Sequence, residues 1–116
     1  MDREFQQRLE AEAIARTQGL NEPVTDYIIS LRAILDKMVI GWDEVKKIRL
    51  LYQNMLPSIK KQIRYDQIHS ELTLVRLARE AEKLAIDKNQ YRPPPPLGQA
   101  VFPELAYKED PKQKAP

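Results

Sequence analysis

The sequence predicts an all-α fold: a compact five-helix bundle with a disordered, proline-rich tail. Three observations carry this. Apolar residues recur at helical spacing through most of the first 88 residues, and no segment alternates as a strand would. Gly19, Pro23, Gly41 and Pro57 fall between these stretches rather than inside them. Seven of the nine prolines lie between Pro93 and Pro116, so residues 1–88 must build the core and 89–116 form a flexible linker. A domain of that size buries roughly 60–65% of its unfolded surface, which favours self-association.

Taken in order, Phe5, Leu9 and Ala13 stand at i, i+4 and i+8, predicting a first helix over 2–16 that ends before Gly19. Pro23 suits the first turn of a second helix, where a missing N–H has no partner to lose. Val24, Tyr27, Ile28, Leu31, Ile34 or Leu35, and Met38 then form one long apolar stripe, stopped at Gly41. Asp43 can cap a third helix with Val45, Ile48, Leu51, Tyr52 and Met55 facing inward. Pro57 breaks that helix and opens a short fourth, burying Ile59 and Ile63. Ser70 or Thr73 can cap a fifth, in which Leu74, Leu77, Ala78, Ala81, Leu84 and Ala85 keep helical spacing. Pro93–Pro96 can only be polyproline II; without a flanking pattern such as PPxY it reads as a stiff spacer rather than as a docking site for an SH3-like domain.

Composition excludes several function classes. The 116 residues contain no cysteine and one histidine, so disulfides, thiolate metal sites and cysteine nucleophiles are ruled out, and a histidine-based metal site lacks ligands. No metal or cofactor is expected. Residues 1–87 hold 14 basic and 14 acidic side chains. A neutral domain without a basic stripe is a poor nucleic-acid binder. No apolar run approaches the ~20 residues of a membrane span, and the first ten residues lack the basic-then-apolar order of a signal peptide. A cytoplasmic protein without membrane contact is expected. No catalytic signature occurs. His69 beside Ser70 lacks a third group, and Glu10/Glu12 and Glu80/Glu82 do not share a helix face. The chain is not expected to be an enzyme.

One segment stands apart. Residues 18–31 place Gln18, Gly19, Glu22, Tyr27 and Leu31 in the order Gln-Gly-x-x-Glu, an aromatic five residues on, then an apolar helix face. This resembles the major homology region of retroviral and Ty3/gypsy retrotransposon Gag capsids. A glycine turn lets the chain fold sharply, and Gln18 and Glu22 can satisfy orphan N–H groups at the helix start. The resemblance runs over most of residues 4–87, to the C-terminal capsid lobe of Arc-like relatives. Glu4-Phe5 resembles its first helix, Leu51–Pro57 the join of its third and fourth, and Ser70–Leu84 with Glu82 its last. There are departures. Many retroviral versions carry an arginine eight residues after the glutamate; here Ser30 stands there, and Arg32 is about 200° round the helix from it.

The resemblance implies homodimerisation and assembly of a virus-like shell, with an N-terminal capsid lobe and a nucleocapsid as further parts of the full-length chain. Zinc-knuckle cysteines do not occur in these residues, so no direct RNA contact is expected of them. Family dimers form mainly through the helix after the homology region, which makes Val45, Ile48 and Arg49 contact candidates with Trp42 at the edge. Sealing the end of the second helix is the more ordinary role for Trp42. Lys46, Lys47, Arg49, Lys60, Lys61 and Arg64 read as a solvated face. A SCAN-like dimerisation module and a domesticated lobe that binds peptides or lipids are the alternatives. In the tail, Phe102-Pro103 within an apolar window resembles a retroviral protease cleavage site.

Overall fold

The computed structural model describes residues 3–108. Five α-helices follow one another: α1 (Arg3–Ala15), α2 (Val24–Asp36), α3 (Glu44–Gln53), α4 (Pro57–Lys60) and α5 (Glu71–Gln90). Short 3-10 turns cover Tyr65–Gln67, Leu97–Gln99 and Pro103–Leu105, and there is no strand among the described residues. Helix α2 is central: it packs on α1, α3 and α5, while α5 also packs on α3 and α4.

The apolar stripe of α2 explains that position. Val24, Tyr27, Leu31 and Leu35 are at most 2% exposed, and Ile28 and Met38 join them in the core. Inside this layer the Tyr27 hydroxyl donates to the Leu51 carbonyl at 2.7 Å, so the one polar atom of the stripe is paired with α3. Pro23 sits at the N-cap of α2 rather than in its first turn. It has no side-chain oxygen to offer, and Glu82 of α5 takes over: its Oε2 accepts from the Val24 N–H at 2.8 Å. The helix ends at Asp36, short of Gly41, when the Lys37 N–H turns back to the Ile34 carbonyl and the Met38 N–H to that of Leu35. Gly41 does not adopt a left-handed conformation, so it is not the stop the spacing predicts.

Three other details differ from expectation. In α1 the buried face is Gln6, Leu9 and Ala13, with Phe5 45% exposed. Gln6 is turned inward because its Nε2 donates to the Ile40 carbonyl at 3.1 Å. In α3 Val45 points outward and Leu50 fills the core beside Ile48 and Leu51. In α5 Leu74, Ala78 and Ala81 are buried, but Leu84 is 57% exposed, because the last turns of this 20-residue helix run past the other elements. The predicted caps do form: Asp43 accepts from the Lys46 N–H at 2.8 Å and Ser70 from the Thr73 N–H at 3.2 Å.

The described residues are elongated rather than compact. Their radius of gyration is 21.3 Å and their extents 73 × 26 × 26 Å, against about 13 Å expected for a compact chain of this length. Helix α5 alone is about 30 Å long, and residues 91–108 extend beyond the core, exposed except for the half-buried Ala100 and Ala106. Among the described residues no helix is long and apolar enough to cross a membrane.

Because the Tyr27 hydroxyl is buried with a single acceptor, Tyr27→Phe leaves the Leu51 carbonyl without it. The expected loss is about 1–2 kcal/mol, read as a lower denaturation midpoint at unchanged m-value.

Candidate functional site

The chain between α1 and α2 closes into a hydrogen-bonded turn that reaches across to the α3–α4 junction. Gln18, 6% exposed, uses three of its groups. Its Nε2 donates to the Glu22 carbonyl at 2.9 Å, its Oε1 accepts from the Leu56 N–H at 3.0 Å, and its backbone N–H donates to the Asn54 carbonyl at 2.8 Å. Asn54 answers in the other direction. Its Nδ2 donates to the Ile14 and Arg16 carbonyls at 3.1 and 3.0 Å, satisfying backbone acceptors that the end of α1 leaves open. Two amide side chains therefore stitch three elements together.

Glu22 closes the turn. Its Oε1 accepts from the Gly19 N–H at 2.9 Å, and its carboxylate is gripped by the Arg16 guanidinium at 3.0 and 2.5 Å. This bidentate geometry is the strong form of a charge-assisted pair. The Arg16 hydrogen bond, followed by that of Gly19, holds the Glu22 carboxyl below the ordinary glutamate range. The same carboxylate raises the Arg16 value. The guanidinium carbon also lies 5.9 Å from the centre of the Tyr27 ring, and burial pushes the Tyr27 hydroxyl well above the usual tyrosine value. Arg16 is thus the ionic partner of Glu22. It comes from upstream across the glycine turn, where no helical spacing rule points to it. Arg32 is engaged elsewhere, with Glu71 of α5 and with Asp36 at 3.9 Å.

Gly19 is not left-handed, so backbone freedom is not what this position demands. A Cβ here would stand 3.3 Å from Glu22 Cβ. The glycine lets Glu22 approach closely enough to reach the Gly19 N–H. Tyr27 and Leu31 belong to the core, both 0% exposed.

The four α3 candidates separate. Ile48 is 6% exposed and part of the chain's own core, so it has no side chain to offer a partner. Its place in the inward stripe, three residues before Leu51, decides this. Val45 is 60% exposed and Arg49 is exposed; at i and i+4 they share one face. Trp42 is half-buried against the core edge, with Lys46 Nζ 4.0 Å from its ring centre. Its Nε1 is buried and has no hydrogen-bond partner among the described residues. Val39 and Ile40, in the loop that precedes α3, are 64% and 73% exposed. The cationic residues do not act as one patch: Lys46 covers Trp42, Lys60 donates to the Gln53 carbonyl at 3.1 Å, and Arg64 pairs with Asp66 at 3.0 Å.

Elsewhere, Ser70 Oγ caps α5 and contacts Thr73 Oγ1 at 3.1 Å, beside an exposed His69. Phe102 is 61% exposed and leads directly into the 3-10 turn that starts at Pro103, so extended binding in a protease groove requires that turn to open. Compared with protein-family models, curated proteins and solved structures, the chain has no significant match.

Two expectations test the turn. Gln18→Ala removes a buried side chain with partners on both sides and is expected to lower stability by about 1–3 kcal/mol, measured by denaturation. For Glu22 the folded pKa lies below the unfolded one. Its contribution is therefore complete above the ordinary value of about 4.3 and is lost as pH falls through the folded value. Glu22→Gln is expected to melt lower than the parent at neutral pH, with the gap closing on acidification below about pH 4.

Proposed function

We propose that this chain is a Gag-type capsid lobe whose function is to self-associate and link copies into a shell. The observation that carries the reading is the convergence of Gln18, Gly19 and Glu22, the residues of the homology-region pattern, in one turn that joins α1, α2 and the α3–α4 junction. In this reading the helices form the compact lobe and the proline-rich segment is its linker. An N-terminal capsid lobe and a nucleocapsid complete the full-length protein, and assembly takes place in the cytoplasm.

The contact surface is the outer face of α3 with the loop before it: Val45 and Arg49 on the helix, Trp42 at the edge, and Val39 and Ile40 alongside. This face combines exposed apolar groups with a cation, and α2 and α5 pack on the helix from its other side. A patch of a few exposed apolar side chains supports a weak contact, strengthened by repetition in a lattice. The basic residues at its rim steer association rather than supply affinity.

The parent is expected to sediment as a concentration-dependent dimer at several hundred micromolar. Val45→Asp places an unpaired carboxylate in that contact at a cost of several kcal/mol, on the order of the whole energy of a micromolar dimer. The variant should be monomeric while keeping the parent's helicity and melting temperature, because Val45 is outside the core. Ile48→Asp, in contrast, should unfold the chain. A strictly monomeric parent, or a Val45→Asp dimer of parental strength, would sink the assignment.

A further inference from the structure

The segment Arg92–Leu97 takes no part in the helical core or in the α3 face. Four consecutive prolines fix φ near −65° and push each preceding residue into extended backbone. The run at 93–96 is therefore a left-handed polyproline helix about 12 Å long. The flanking dihedrals agree: Tyr91 has φ −62°, ψ 136° and Pro96 has φ −58°, ψ 149°. Helix α5 ends at Gln90 and passes straight into this run, and every residue from 91 to 99 is exposed. Of the proline carbonyls, that of Pro96 accepts from the Gln99 N–H at 2.9 Å; those of Pro93–Pro95 have no backbone donor among the described residues.

Charge gives the run a direction. With three residues per turn, Arg92 and Pro95 share one ridge, and Pro93 and Pro96 the next. Between Asp87 and Glu104 the chain carries Lys88 and Arg92 and no acid. Arg92 is exposed and forms no ion pair among the described residues. Tyr107 and Lys108 border the same prolines and bring no acid either. Phe102 and Leu105 border Pro94 and Pro95 from the other side, yet every ring of the run stays exposed, so a rigid ligand with a cation at its start is held off the end of a long helix.

We propose that Arg92–Leu97 docks a partner domain whose aromatic-walled groove ends in acidic side chains, the recognition mode of SH3 domains. Proline rings fill the aromatic slots, and little conformational entropy is lost because the polyproline helix exists beforehand. The Arg92 guanidinium, planar and permanently charged, pairs with the carboxylates at the groove's end and selects one of two possible orientations. Leu97, 43% exposed, occupies the next slot. Gly98 leaves the third turn without a ring, which weakens the contact. WW-type recognition of Pro-Pro-x-Tyr is disfavoured, because Gly98 stands where that tyrosine is required.

The experiment titrates the intact chain with a purified SH3 domain of the class that reads Arg-x-x-Pro ligands, with a WW domain that reads Pro-Pro-x-Tyr as control. Saturable binding to the SH3 domain is expected, weakened more than about tenfold by Arg92→Glu and several-fold by Pro95→Ala. Both positions are exposed, so the helical melt of each variant should match the parent. No binding up to about 1 mM domain, parental binding by Arg92→Glu, or tighter binding to the WW control would overturn the proposal. None of these results depends on whether the lobe self-associates.

Discussion

The fold depends on how the buried amide of Gln18 is satisfied. This one side chain faces the start of α2 through its donor and the start of α4 through its acceptor, while its backbone faces the end of α3. An amide this deeply buried cannot lose its partners cheaply, since each unpaired group would bear the full desolvation penalty. The requirement is mutual. The α3–α4 junction must stand where Leu56 and Asn54 can reach the turn, and that in turn orients Asn54 to close the end of α1. Hydrophobic burial holds the helices together, but these directional bonds select one arrangement among several that would bury similar area.

The start of α2 shows how far such constraints extend. Pro23 can set the helix start but cannot cap it. The orphan N–H of Val24 is met by Glu82, 58 residues later. Helix α5 is thereby anchored at both ends of α2: Glu82 at the beginning, Glu71 with Arg32 further along. Arg16 and Glu22 add a partly exposed, bidentate ion pair that stiffens the turn from outside. Polar groups from five stretches of chain therefore frame the apolar core, and the outer face of α3 is left free of that framework. A surface that contributes little to the chain's own stability can present apolar residues such as Val45 without disturbing what lies beneath.

The same separation applies to the two ends of the molecule. The helical part is built on long-range bonds, whereas the segment after Gln90 is built on local stereochemistry: prolines that admit one backbone conformation and have no N–H to pair. Its rigidity does not need a core. This is why the proline run can stand clear of the helices and still have a defined shape, and why the elongation of the described residues does not contradict a well-packed interior.

By itself the sequence determined the helical class, the starts of α1, α3 and α4, the Asp43 cap, the burial of Tyr27, Leu31, Ile59 and Ile63, and the polyproline run, and it left the α5 cap between Ser70 and Thr73. These follow from periodicity and from local stereochemistry, which act over a few residues and leave a readable pattern. It also marked Gln18, Gly19 and Glu22 as a group. Tertiary structure decided the rest. Whether Phe5 or Gln6 faces inward, and whether Val45 or Leu50 does, turns on a rotation of about one residue, and a neighbouring carbonyl or core layer sets it. The close approach to Gly19, the grip of Arg16 on Glu22, the reach of Asn54 to α1 and the Glu82 cap join residues between three and 58 positions apart. No sequence period relates them, so only the packed helices bring them within hydrogen-bonding distance.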